Sequence, residues 1–291
     1  MRECIMALGT FDGVHCGHAA LIHAAGATAG QLNIQTAVFT FADHPLEKLT
    51  GKKVGLLVTL PQKIELLRRE GADFVAVEPF EDVCSLSPEQ FMELLISKYR
   101  VRGLVCGKDF RFGKGGAGNA EILSELCAKR GIRLQVMSFV KDETGEKISS
   151  SRIRGMILRG EMEAAAQALG RPFFVEGQVC HGKGLAHQWG TPTINLPLPE
   201  ELVLPRFGVY QTRVTVNGKR YDGITNVGNR PTFDDGKVPN VETYILDGNF
   251  DQITAAKVEF VRFVREEKKF PDEQSLQIQI AKDIAFVKEM C

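Results

Sequence analysis

The chain carries no net charge: 36 basic residues stand against 36 acidic ones in 291. That balance excludes the strongly basic surface of a general nucleic-acid or membrane-surface binder. Long hydrophobic runs are also missing. Nothing approaches the ~18–20 apolar residues of a membrane span, and Glu3 and Asp12 break up the first residues before a signal-like core can form. The expectation is a cytoplasmic protein with no membrane partner. Paired cysteines are absent as well: Cys4, Cys16, Cys84, Cys106, Cys127, Cys180 and Cys291 are odd in number, widely spaced and contain no C-x-x-C. This argues against a disulfide framework or a zinc cage and leaves most of them as reduced, buried small side chains. Internal repeats and low-complexity segments are lacking too.

What is present is an ordinary globular composition, 44% hydrophobic and 25% charged. At roughly 100–200 residues per domain the length suggests two domains. Up to about residue 170, apolar runs at Cys4–Leu8, Thr36–Phe41, Phe74–Val77, Val101–Cys106 and Leu134–Val140 alternate with helical patterns, as in a doubly wound parallel sheet. Ser87-Pro88-Glu89-Gln90 is a helix start, with Ser87 as cap and Gln90 completing a capping box ahead of the apolar Phe91, Leu94 and Leu95. After Leu169-Gly170-Arg171-Pro172 the pattern turns to β: Phe173–Val179, Gly208–Val216, Arg220–Thr225, Glu242–Leu246 and Lys257–Val264. Asn217-Gly218 reads as a two-residue hairpin turn, which points to antiparallel strands closing as a small barrel. A terminal amphipathic helix runs from about Asp272 to Met290, with Leu276, Ile280, Ile284 and Val287 on one face. The expected domains are 1–170 and 171–291.

The first strand runs directly into Gly9-Thr10-Phe11-Asp12-Gly13-Val14-His15-Cys16-Gly17-His18. A strand, a glycine turn and a helix start aim free N–H groups and the positive end of the helix dipole at one point, which suits a phosphate. His15 and His18, held neutral by that dipole, can each donate one hydrogen bond there. Lys147-Ile148-Ser149-Ser150-Ser151-Arg152-Ile153-Arg154 brings hydroxyls and guanidinium groups to a second helix start after strand five, the other jaw of one site at the same sheet edge. Between them, Gly107 to Gly118 matches G-x-G-x-x-G by letter, but six residues separate that match from the strand, and Lys114 is followed by glycine rather than Ser or Thr. Neither a dinucleotide fingerprint nor a Walker A loop results. A mobile loop whose Phe110 and Phe112 cover a flat ligand fits better.

In the second half, Gly182-Lys183-Gly184 can wrap phosphates with backbone N–H groups. Thr193 and Asn195, two apart on an extended segment after Pro192, point hard oxygens the same way, toward Mg²⁺. Glu242 sets one carboxylate in the β-type run Val241–Leu246, where a solvated outer-face residue is the ordinary outcome.

With these residues assembled, the chain resembles the prokaryotic bifunctional riboflavin kinase/FMN adenylyltransferases over nearly its whole length. The family pattern G-x-F-D-G-V-H-x-G-H falls on Gly9 to His18, G-x-[DN]-F-x-F-G on Gly107 to Gly113, and I-S-S-T-x-I-R on Ile148 to Arg154. The kinase half follows in Leu169 to Phe173, the P-T-x-N run, Gly208-Val209-Tyr210, Asn226 to Phe233, Val241-Glu242-Thr243 and Arg265-Glu266-Glu267. The resemblance implies that ATP phosphorylates riboflavin to FMN and that ATP then adenylylates FMN to FAD, releasing pyrophosphate. In the first half it implies ATP at Gly9, Phe11, Gly17, Ser149, Ser150 and Ser151, catalysis by His15, His18 and Arg154, and flavin at Asp109, Phe110 and Phe112. In the second half it implies Glu242 as catalytic base, Thr193 and Asn195 at the metal–ATP complex, Gly182 to Gly184 at phosphate and Arg265 at flavin. The expected partners are therefore small molecules, with no nucleic acid, in a monomer or weak homo-oligomer. The chain departs from the family at Asp43, where proline is usual, at Ser151, where threonine is usual, and at Leu185 to Thr191, where R-G-R-x-L-G-F gives way to a stretch holding His187 and the only tryptophan, Trp189. Losing two arginines there removes fixed charge beside the phosphate loop. The alternative is an FAD synthetase whose impaired kinase module serves as a flavin-binding regulatory domain.

Overall fold

The computed structural model describes residues 2–180, 193–230, 238–246, 250, 253–268 and 270–289. It divides into two compact units, Met1–Arg152 and Ile153–Cys291.

In the first unit β1 (Cys4–Leu8), β2 (Gln35–Phe41), β3 (Phe74–Glu78), β4 (Val101–Gly107) and β5 (Arg133–Met137) form one sheet in the order β3-β2-β1-β4-β5. All four pairings are parallel. Every residue of β1 is buried, as a central strand covered on both faces requires. Cys4, Met6 and Leu8 join Phe39, Leu104 and Cys106 in a core closed by Phe91 and Leu95 of α5 (Pro88–Tyr99) and Leu123 and Leu126 of α6 (Ala120–Arg130). α1 (Cys16–Leu32) packs against β1, β2 and β4. The capping box of α5 forms as expected: Ser87 N–H donates to Gln90 Oε1 at 2.8 Å and Gln90 N–H to Ser87 Oγ at 3.2 Å. β5 stops at Met137, three residues short of the expected end, because the chain then folds into a tight turn bridged at Lys141 and Lys147.

The second unit begins with most of α7 (Ser150–Arg159) and α8 (Met162–Leu169), and continues through β6 (Phe173–Gln178), β7 (Thr193–Pro197), β8 (Gly208–Val216), β9 (Lys219–Arg230), β10 (Val238–Ile245) and β11 (Ala255–Arg265) to α9 (Glu273–Glu289). The strands form a six-stranded antiparallel sheet in the order β6-β11-β8-β9-β10-β7. It curls until its end strands meet, Cys180 N–H donating to Asn195 O at 2.9 Å. Asn217 and Gly218 both have positive φ, 49° and 75°, the conformation of the expected two-residue hairpin. α8 packs on β6 and β11, and Arg262 pairs with Glu163 at 2.6 Å, so both helices go with the strands. Val287 of α9 is fully buried against Val209, Ile224 and Leu246.

Candidate functional site

The sheet order reverses between β1 and β4, and open α/β sheets bind ligands beyond the strand C-termini at such a point. Gly9 to His18 and Gly107 to Gly118 both leave the sheet there. The first of these runs through unusual backbone, with φ of 54° at Phe11, 81° at Gly13 and 42° at Val14. Phe11 and Val14 are buried, and a β-branched residue at positive φ persists only when its surroundings fix it. They do: Thr40 Oγ1 donates to Thr10 O at 2.8 Å, Leu57 N–H to Asp12 Oδ1 at 2.9 Å, and Ser150 Oγ to Asp12 O at 2.9 Å. The last bond joins the two expected phosphate jaws directly.

His15 is the N-cap of α1, and its Nδ1 accepts the backbone N–H of His18 at 3.3 Å. With Nδ1 an acceptor, Nε2 is the ring nitrogen that carries the proton. The two imidazoles stack at 3.6 Å between centroids, 12° from parallel, and the Phe11 ring lies 4.9 Å from His18. Gly17 permits this: a Cβ there would stand 3.1 Å from His15 Cε1. Thus the stacked pair and the helix start are one construction.

Ser149 Oγ accepts Arg152 N–H at 3.4 Å and so caps α7, which begins at Ser150 inside the serine run. Ser151 is exposed, and Arg154 follows Ser150 by four residues on the same helix. Arg152 braces the preceding turn by pairing with Asp142 at 2.5 Å. The Thr144 hydroxyl, then Arg152 and the Glu146 N–H, hold the Asp142 carboxyl down to about 2.

The loop after β4 differs from the open cover expected of it. Phe112 and Gly118 exchange backbone hydrogen bonds at 3.1 and 2.8 Å. The Phe112 side chain is buried in the core against Phe91, and Phe110, only partly buried, stacks on it at 5.6 Å. Of the two rings only Phe110 keeps open surface. Asp109 pairs with Lys147 at 2.5 Å, which links this loop to the serine run.

Two residues of this region escaped the sequence reading. Asp12 is buried and anchors Leu57; Lys63, on α3 (Leu60–Arg69), is buried with Nζ 2.8 Å from Phe41 O and 3.5 Å from Thr10 O. Burial pulls the Lys63 amine down to about 8, against the opposing charges of Asp12 and Asp43. Lys63 sits in a polar-looking helix, so its sequence carries no signal of burial.

In the second unit Glu242 lies opposite Asn195 of β7 and Asn226 of β9, so the three side chains stand in a row on one sheet face. Thr193, two residues before Asn195, shares that face. β7 itself is absent from the strands expected; its Thr and Asn are strand residues. Asn195 is buried, and its Oδ1 accepts from Asn240 at 2.7 Å, while Glu242 is exposed. Asn226 Nδ2 donates to Glu267 at 3.2 Å. Beneath this face, Thr212, Thr225 and Thr243 form a buried hydroxyl chain with 2.8 Å steps. Arg265 grips Asp283 of α9 with both Nε and Nη2, at 2.7–3.1 Å, so its guanidinium ties the terminal helix to the strands. Gly182, Lys183, Gly184 and the segment Leu185 to Thr191, with His187 and Trp189, lie outside the described residues, as do Pro231 to Phe233.

Of the six cysteines described, none is disulfide-bonded; Cys4, Cys106 and Cys127 are buried, with thiols pushed up to about 11 by burial, whereas Cys16, Cys84 and Cys180 keep some exposure, so fewer are buried than expected. Among the described residues no cluster of three His, Cys, Asp or Glu side chains could hold a metal ion, and no helix is long and apolar enough to cross a membrane.

The FAD synthetase family matches residues 1–152 and the riboflavin kinase family residues 169–291. A bifunctional riboflavin kinase/FMN adenylyltransferase of Listeria monocytogenes is 37% identical over 96% of this chain and 90% of its own length; that of Bacillus subtilis is 37% identical over 97% and 90%. Among solved structures, a macrolide-efflux protein from Streptococcus pneumoniae superposes with a TM-score of 0.88 at 29% identity, over 98% of this chain and 94% of that one.

Proposed function

The chain belongs to the family of bifunctional riboflavin kinase/FMN adenylyltransferases, and we propose that its first unit makes FAD from FMN and ATP while its strand-rich second unit makes the FMN from riboflavin and ATP. The observation that supports this is the bond from Ser150 to Asp12, which brings the histidine turn and the serine run side by side, as a single phosphate site built from both motifs requires.

In the first unit the FMN phosphate attacks the α-phosphorus of ATP and pyrophosphate leaves, so no protein nucleophile is needed. Catalysis is then positioning and charge stabilisation. The Nε2–H of His15, the ring of His18, the Ser150 hydroxyl and the N–H groups at the start of α1 serve the phosphates, with Gly9, Phe11 and Gly17 shaping the approach. Ser149 sets the start of α7, Ser151 lies beside it, and Arg154 on that helix is assigned to phosphate as well. Phe110 and Asp109 take the flavin side, with Phe112 supporting Phe110 from the core.

In the second unit Glu242 takes the proton of the ribityl 5′-hydroxyl as that oxygen attacks the γ-phosphorus, the bond from the γ-phosphorus to the β,γ-bridging oxygen breaks and ADP leaves. Asn195 and Asn226 flank the carboxylate and orient it, and Arg265, through Asp283, fixes the helix behind the flavin end. Thr193 and Asn195 fit Mg²⁺ because they offer neutral hard oxygens on the face of Glu242, the kind of sparse donor set that suits an ion held largely by ATP phosphates and water. When bound, Mg²⁺ neutralises charge on the transferring phosphoryl group. Gly182, Lys183 and Gly184 are assigned to the phosphates of this ATP. Substrates of this kind support a cytoplasmic protein, and a monomer or weak homo-oligomer is the state we assign to it.

Incubating the purified chain with riboflavin, ATP and Mg²⁺ and separating the flavins by chromatography tests this directly. The expected result is FMN appearing first and FAD following. FAD from added FMN, with no FMN formed from riboflavin, would leave the second unit as a flavin-binding regulator instead.

A further inference from the structure

The loop that carries His15 and His18 owes its shape to groups outside it, and one of these is a buried cation. Lys63 Nζ reaches two main-chain carbonyls at once, Phe41 O at the end of β2 and Thr10 O just beyond β1. Six residues earlier on the same segment, Leu57 N–H holds the Asp12 carboxylate. The stretch from Leu57 to Lys63 therefore clasps the strained loop on both sides of Phe11, whose φ is 54°. Burying an ammonium is costly unless it is paired and hydrogen-bonded. A lysine here is explicable by what it holds: two carbonyls, one of them shared with the Thr40 hydroxyl, at the switch point of the sheet. An apolar side chain would leave the Phe41 carbonyl without this donor, and a shorter one would not span the distance.

We infer that Lys63 is a positioning residue for adenylyl transfer, its ammonium locking the ends of β1 and β2 together so that the loop presents the stacked His15–His18 pair to the phosphates. This rests on the reading of the first unit as an FMN adenylyltransferase. The groups facing the ammonium are the Asp12 and Asp43 carboxylates and the two carbonyls, with Lys48 standing 3.8 Å from Asp43. Burial pulls the Lys63 amine down to about 8, so the hold should weaken as pH rises through that region. FAD formation falls with it.

The test uses the full chain with Lys63→Met and Lys63→Gln, assayed for FMN to FAD and for riboflavin to FMN in the same preparation, from pH 6.5 to pH 9.5, alongside amide hydrogen exchange. The expected result is a drop of about tenfold or more in kcat for FAD formation, with KM values and riboflavin phosphorylation little changed. The alkaline fall expected of the parent near pH 8 should be absent from both variants, and amides of residues 11–15 should exchange faster while those of β4 do not. Variants that keep parental FAD formation overturn the inference, as do variants that lose it yet retain the alkaline fall or unchanged exchange at residues 11–15. A parent chain that forms no FAD refutes the functional reading instead, and the exchange experiment still decides whether Lys63 holds the loop.

Discussion

At the level of single residues, the histidine turn shows how little room the site leaves for change. Gly17 lies between the two imidazoles in sequence, and a methyl group there would stand 3.1 Å from Cε1 and 3.2 Å from Nδ1 of His15. Those atoms belong to the ring that accepts the His18 N–H and stacks on the His18 ring. Gly17→Ala therefore pushes the cap out of place while leaving the helix itself intact, because alanine suits a helix better than glycine by about 1 kcal/mol. The expected outcome is FAD formation reduced roughly 10–100-fold, the scale on which small displacements of catalytic groups act, with unchanged or raised thermal stability. Steady-state assays with a melting curve measure both, and a variant that is fully active would mean that the stack is dispensable.

At the level of elements, most strands were legible because each is an unbroken apolar run bounded by turn residues, and Asn217-Gly218 announced its hairpin by residue type alone. β7 was not: five residues beginning Thr-Ile-Asn show no run of their own, and they become a strand only by pairing with β10. Phe112 illustrates the same limit, since nothing local distinguishes an aromatic that covers a ligand from one that Phe91 receives into the core. Lys63 and Asp12 are buried by elements far away in sequence, so their partners were invisible until the sheet brought them together. The terminal helix was readable by its period, whereas its anchor was not. Arg265 and Asp283, with side chains 16% and 6% exposed, form a bidentate pair also braced by Gln279. Removing one member of a buried pair strands the other charge, so Asp283→Ala should cost roughly 3–5 kcal/mol and release α9. Hydrogen exchange along residues 273–289 reads this out, and protection equal to that of the parent would show the pair to be without weight.

At the level of the whole molecule, the proposed reading assigns two phosphoryl chemistries to two compact units, one to a strained loop ending in a histidine-capped helix and the other to a carboxylate that stands between two asparagines on a strand face. The histidine turn and Glu242 lie in different units. The consequence is separability. His18→Ala should lower FAD formation by roughly 100-fold, the cost of removing one preorganised donor, and leave riboflavin phosphorylation near the parental rate. Glu242→Gln should do the reverse, since an amide keeps the size and the strand pairing of the side chain but cannot accept the hydroxyl proton. Supplying FMN to the Glu242 variant should then restore FAD synthesis in full, because the first unit needs only the product that the second no longer makes. Chromatographic separation of FMN and FAD over time in both variants measures all of this together. If either substitution abolished both products even with FMN supplied, the two reactions would share machinery, and the division of labour between the units would have to be given up.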